Sequence, residues 1–247
     1  MRSLVCLTLL ALACTTTPKT SEVKSDEPAQ ETARKVDKSV LRIFHTSDEH
    51  GWFAGRFSQS HDVRTGGFEL LSRYLKEHGY DRDLDVLVSS GDSWTGPAFS
   101  TLLQGEPMVK AMNHLGYRAV AMGNHEFDFG LDVFRRNAKA SAYSYLAANM
   151  ELPDNKSMPV KRHILIDVGG FKLGIIGLIY RETAQVTLAT NVAGITFNDY
   201  ADSALQEAQK AKDAGAEASI ILIHDNAAEL ASVAKPLHAL GVRAVLG

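Results

Sequence analysis

The sequence predicts an α/β fold, and three observations carry that expectation. From residue 40 onward, short β-branched runs alternate with amphipathic stretches of helical period, the order that builds parallel strands joined by crossovers. Gly-containing polar loops follow the strands, and several of them carry Asp, Asn or His. With 45% hydrophobic and 22% charged residues over 247 positions, the chain has apolar material for one large core and none of the bias of disordered, collagenous or coiled-coil sequences.

Residues 1–14 read as a signal peptide. Arg2 precedes an apolar run at residues 4–13, far too short to span a bilayer, and Ala11-Leu12-Ala13-Cys14 resembles a bacterial lipobox in which Cys14 is lipidated. Ala11 stands where Leu is usual, so an ordinary signal-peptidase site is the alternative. Residues 15–39 contain five basic and five acidic side chains and no aromatic. Such a segment cannot bury enough surface to offset its chain entropy, and it reads as a disordered polar tether. The expected localisation is export, with a lipid anchor to the cell envelope as the membrane contact. Both cysteines, Cys6 and Cys14, precede the domain expected at 40–247, which excludes a disulfide framework, a Cys-based zinc site and a thiol nucleophile there. A formal net charge of −3 argues against a nucleic-acid partner.

Within 40–247, strands are expected at 41–45, 85–89, 118–122, 144–148, 164–168, 173–179, 218–224 and 242–246, and helices at 67–78, 97–115, 130–140, 199–214 and 227–240. Phe68, Leu71 and Leu75, and again Val109, Met112 and Leu115, repeat at the three-to-four spacing of a core-facing helical stripe. Gly169-Gly170, between two apolar runs, reads as a hairpin turn. There is no internal repeat.

Four of these strands run into polar clusters at their carboxyl ends. They supply Asp48 and His50; Asp92; Asn124, His125 and Asp128; and His224. Open α/β sheets bind ligands at that edge, so residues far apart in sequence are expected to converge. Mixed carboxylate, amide and imidazole donors suit Zn, Mn or Fe better than Ca, and their number points to two divalent ions. The runs Gly91-Asp92-Ser93-Trp94-Thr95 and His125-Glu126-Phe127-Asp128-Phe129 lack the second Gly of a nucleophile elbow and the second His of a zincin. His45, on an apolar strand, reads as a hydrogen-bonded core residue; His61, His78, His114, His163 and His238 read as structural or exposed.

The segments Phe44-His45-Thr46-Ser47-Asp48-Glu49-His50-Gly51, Ser90-Gly91-Asp92 and Gly123-Asn124-His125-Glu126-Phe127-Asp128-Phe129-Gly130 resemble the calcineurin-like metallophosphoesterase superfamily. With Gln104-Gly105-Glu106-Pro107 and Met112-Asn113-His114-Leu115-Gly116-Tyr117, they are similar to the N-terminal metal-binding domain of the 5′-nucleotidase family. The resemblance implies a four-layer αββα sandwich of two mixed sheets. It implies that Asp48 and His50 hold one metal, that Asp92 bridges both, and that Asn124 and His224 hold the second. His125 is then the catalytic, non-ligand imidazole, oriented by Asp128, while Glu126 supports the loop. A bridging carboxylate reduces the repulsion of two cations, and a pair about 3.5–4 Å apart activates water for in-line attack on phosphorus.

The implied substrate is a small phosphate ester, foremost a 5′-nucleotide. Alternatives are cyclic nucleotides, nucleotide sugars or sulfur-linked esters at the same site, or, in a different class, a truncated envelope lipoprotein without activity. Two departures from the family pattern stand out. Asp225-Asn226-Ala227 follow His224 where a Gly is usual, and the expected Gly-His-x-His or Gly-His-x-Gln motif does not follow the strand at 242–246, so the domain is expected to be incomplete at its C-terminus.

Overall fold

The computed structural model describes residues 40–58, 63–155 and 157–247; the expected signal peptide with Cys14, the tether and His61 lie outside them. One sheet is formed in chain order by β1 (Arg42–Thr46), β2 (Asp85–Ser89), β3 (Ala119–Ala121), β4 (Ser144–Leu146) and β5 (Val160–Lys161). A second has the order β9-β8-β7-β6, from β6 (His163–Val168), β7 (Phe171–Leu178), β8 (Ala218–Ile223) and β9 (Val242–Leu246). The second sheet is mixed: β6 and β7 form the antiparallel hairpin expected at Gly169-Gly170, and the other pairs are parallel. The first differs from the expectation of two mixed sheets, because its pairs are all parallel. A crossover segment, not a tight turn, joins each successive pair there, and only a crossover returns the chain in the same direction.

The central strands are apolar on both faces, and their alternation sorts the core into three layers. Val86, Val88, Ala119 and Ala121 of the first sheet meet Leu173, Ile175, Ile220 and Leu222 of the second in one cluster between the sheets. On the outer face of the first sheet, Leu87, Val120 and Tyr145 pack against Phe68 and Leu75 of α1 (Gly67–Glu77), Met108 and Met112 of α3 (Glu106–Leu115), and Phe134 of α4 (Gly130–Ala140). On the outer face of the second, Ile176, Leu178, Ile221 and Ile223 pack against Tyr200, Ala204 and Ala208 of α6 (Tyr200–Asp213) and Leu237 of α7 (Ala234–Ala239). This is the four-layer αββα arrangement that the resemblance implied. No helix among the described residues is long and apolar enough to cross a membrane.

Two expected helices are interrupted. The run at 97–115 divides into α2 (Ala98–Leu102) and α3, because Gln104 and Gly105 take left-handed φ of 51° and 81°. A Cβ at position 105 would stand 2.6 Å from Trp94 Cγ, so the buried indole requires glycine there. The run at 227–240 begins as a 3-10 turn (Ala227–Val233) and becomes α7, with Pro236 in the first turn, where no N–H is required. The sequence reading also omitted α5 (Thr183–Val186) and the short antiparallel pairs Arg56–Ser58 with Val63–Thr65 and Met150–Glu151 with Thr196–Phe197.

Candidate metal centre

Beyond β1 and β2 the chain continues as two loops bonded to each other. Ser90 N donates to Thr46 O at 2.9 Å, Asp48 N to Gly91 O at 3.0 Å, His50 N to Asp92 O at 2.9 Å and Gly51 N to Ser93 O at 2.9 Å. Held this way, Asp48, His50 and Asp92 have φ of 54°, 42° and 57°, in the left-handed region that L side chains seldom adopt. Gln104 is the one other non-glycine residue among those described with positive φ. Strain concentrated on three residues of one cluster persists only where the surroundings impose it, the pattern of a functional site.

The loop after β3 closes on the same point. A Cβ on Gly123 would lie 2.1 Å from Asp92 Oδ1, so only glycine lets this loop approach. His125 N then donates to Asp92 Oδ1 at 2.8 Å. His224 arrives from the second sheet, where its N–H bonds Leu178 O at 2.8 Å beyond β8, and its ring reaches across to the first sheet's loop.

Three imidazoles aim the same atom at Asp92. His50 Nδ1 bonds Thr95 O at 3.1 Å and His224 Nδ1 bonds Ser90 O at 2.9 Å. A carbonyl can only accept, so each Nδ1 carries a proton and Nε2 faces the cluster as the ligating atom. The two Nε2 atoms lie 3.9 and 3.1 Å from Asp92 Oδ2. His125 Nε2 is 4.0 Å from the same oxygen, but its Nδ1 is held by a carboxylate, Asp128 Oδ2, at 2.7 Å. Asp48 Oδ1 stands 3.6 Å from His50 Nε2.

Two donor sets result, His50–Asp92–His125 and Asp48–Asp92–His224, each with its ligand atoms within 4.8 Å of one another. Asn124 joins Asp48, Asp92 and His224 in lining a cleft of ≈ 640 Å³. The residues singled out in the folded domain, Asp48, His50, Asp92, Asn124, His125, Asp128 and His224, are thus brought to one place. The member common to both sets is Asp92, and Asp48 Oδ1 also reaches His50 Nε2 across the two sets. Two carboxylates, imidazoles with Nε2 turned inward and a neighbouring amide form a donor set that fits first-row divalent ions.

The electrostatics follow from these contacts. The hydrogen bond to Asp128 raises the pKa of His125 against the opposing effect of burial. Burial would lower that of His224, but the hydrogen bond and charge of Asp92 outweigh it and bring the imidazole to about 9. Burial would raise the Asp92 carboxyl; His224 and His125 hold it below the usual range instead.

Two acidic residues of the site had little or no role in the sequence reading. Glu126, expected only to support its loop, is fully buried, and its carboxylate accepts from Asp92 N (3.0 Å), Ser93 N (2.8 Å) and Gly123 N (2.7 Å). Its one local signal is a Glu three residues after a small residue at a turn, the capping-box spacing. Glu49 accepts from the hydroxyls of Thr46, Ser89 and Ser93 beneath the Asp48 loop. No local pattern marks it. His45 is hydrogen-bonded as expected, its Nε2 lying 2.7 Å from Ser90 Oγ.

Comparison with known proteins places the fold in a family. The 5′-nucleotidase of Vibrio cholerae is 32% identical over 179 residues, covering 70% of this chain and 31% of that protein. Protein UshA of Salmonella pullorum is 32% identical over 201 residues, covering 81% of this chain and 34% of that protein. The chain therefore spans about a third of the length of these curated relatives. The crystal structure of a 5′-nucleotidase precursor from Thermus thermophilus superposes with a TM-score of 0.69 at 22% identity, covering 83% of this chain and 40% of that one, a likeness of fold. The family model described as calcineurin-like phosphoesterase matches residues 41–244, which include every strand-end loop of the cluster, and the chain belongs to that family.

Proposed function

We propose that this chain is the metal-binding domain of an exported, lipid-anchored phosphoric ester hydrolase acting on phosphate monoesters, foremost 5′-nucleotides. The observation that carries the reading is the convergence of three imidazole Nε2 atoms on one carboxylate oxygen of Asp92, with Asp48 beside them, on loops strained into left-handed backbone. The nucleotide preference rests on the relatives that bear the name 5′-nucleotidase.

In this reading Asp48, His50, Asp92, Asn124 and His224 would hold two divalent ions, Asp92 being the residue that both donor sets share. The ions, when bound, supply the positive charge that draws the phosphoryl oxygens in and activates water. His125 performs the proton transfer. With Nδ1 held by Asp128, whose hydrogen bond raises the pKa of the ring, Nε2 can donate to the departing oxygen. Asp128 fixes the ring's orientation and stabilises its charge. Among the described residues, those lining the cleft include no Lys or Arg, so the positive charge available there to an anionic ester comes from the imidazoles and the bound ions.

The test is phosphate release from a 5′-nucleoside monophosphate by the full chain. Chelation is expected to abolish it, and Mn or Zn to restore it. Turnover that resists the chelator contradicts the proposal.

A further inference from the structure

His125 stands on a 3-10 turn, Asn124–Phe127, and Asp128 caps its C-terminal end, its N–H bonding His125 O at 3.2 Å. Such a turn is a single weak cycle of hydrogen bonds, and Gly130, with φ of 79°, breaks it from α4. Gly123 N to Glu126 and His125 N to Asp92 Oδ1 hold its start, and its end is fixed by a distant segment. The Asn191 side-chain Nδ2 donates to Phe127 O at 2.9 Å and to Asp128 O at 3.1 Å, so both protons of one amide are spent on consecutive carbonyls of this turn. Thr187 Oγ1 adds a longer contact, 3.4 Å, to Asn124 O. The segment that carries these two side chains is itself anchored. Asn191 N donates to Leu188 O at 2.8 Å, and Val192 and Ile195, 4% and 8% exposed, sit in the same apolar cluster as Phe127.

We propose that Asn191 is a positioning residue for the His125–Asp128 pair, an inference that rests on the phosphoesterase reading. The amide acts on the carbonyl of Asp128 itself and on the one before it, 63 and 64 residues away in sequence. It therefore sets where the Asp128 carboxylate stands, and through the 2.7 Å bond to Nδ1 it sets the aim of His125 Nε2. Proton transfer tolerates little error in that aim: a displacement of about 1 Å costs on the order of a hundredfold in rate. The ligands Asp48, His50, Asp92 and His224 lie on other loops; Asn124 shares the turn, but the amide acts at the far end of it, on Phe127 O and Asp128 O, so the main effect falls on the acid.

The test is a double-mutant cycle on the full chain, with a 5′-nucleoside monophosphate as substrate. Asn191→Ala is expected to lower kcat by about 10- to 100-fold, with KM and bound metal within about twofold of wild type. In a His125→Asn background the same change is expected to cost nothing further, because the group it positions is gone. Full additivity of the two losses, or an undiminished kcat in Asn191→Ala, overturns the proposal. Asn191→Asp, which keeps the volume but replaces the donor with an acceptor, is expected to behave like Asn191→Ala, and wild-type turnover in this variant also overturns it. Amide hydrogen exchange on the metal-free protein gives a readout without turnover. Exchange of the peptide containing residues 124–128 is expected to accelerate in Asn191→Ala while the strands keep their protection, and unchanged exchange there contradicts the brace. If the wild type hydrolyses no phosphate ester, the phosphoesterase reading fails, and the exchange measurement alone then decides whether Asn191 holds the turn.

Discussion

Two buried glutamates, one in each half of the sandwich, sit in opposite electrostatic surroundings. Glu207 on α6 has its carboxylate flanked by His163 Nδ1 at 2.6 Å and Lys210 Nζ at 2.7 Å. Burial would raise its pKa, but these partners outweigh burial and hold it below the usual range. Glu126 has three backbone N–H donors and no basic side chain among its hydrogen-bond partners, and it faces the charge of Asp92. Burial, then Asp92, push it up to about 7 in spite of those donors. Glu207 is balanced by its own basic partners, whereas Glu126 stands beside a second carboxylate, an arrangement that cations bound at Asp92 would stabilise.

The largest effect is expected from emptying the Glu126 position. Glu126→Ala orphans three buried N–H groups at about 1–3 kcal/mol each, so the variant should lose several kcal/mol of stability and its bound metal, measurable by denaturant unfolding and elemental analysis. Near-normal metal content would show that Glu126 does not hold the two loops together.

His125→Asn sharpens the comparison on the side of Glu126. It removes a proton donor, with kcat expected to fall by roughly 10²–10⁴ while bound metal stays near normal. Equal loss of metal in this variant and in Asp92→Asn would reassign His125 as a ligand, the alternative that its place beside His50 and Asp92 keeps in view.

The smallest effect is expected from Glu207→Gln, which should leave phosphate release unchanged and cost on the order of 1 kcal/mol of stability at neutral pH. The sign of its pH dependence follows from the depressed pKa. The wild-type advantage is present above the ordinary carboxyl value of 4.5 and is lost as pH falls through the lower folded value. Stability curves for wild type and variant should therefore converge in acid, and a gap that widens there contradicts the assignment.

The strand-end residues were legible because each follows an apolar strand by one to seven residues, and the Asn124–Asp128 run is specific enough to name a family. The supports were not. Asn191 acts on carbonyls more than sixty residues away, and His50 and His224 are oriented by the backbone oxygens of Thr95 and Ser90, which any residue would offer. The break at Gln104-Gly105 was hidden for a similar reason, since it answers to the packing of Trp94 and not to a local helix signal. Backbone acceptors and long-range packing leave no signature in residue type.

The central claim is that Asp92 is the shared ligand of two cations, and metal stoichiometry tests it most directly. The purified full chain, stripped with chelator, reloaded with Mn or Zn and freed of excess ion, should retain two equivalents per chain, and Asp92→Asn should retain fewer than one. Fewer than one equivalent on the wild type, or two equivalents surviving in Asp92→Asn, would contradict it.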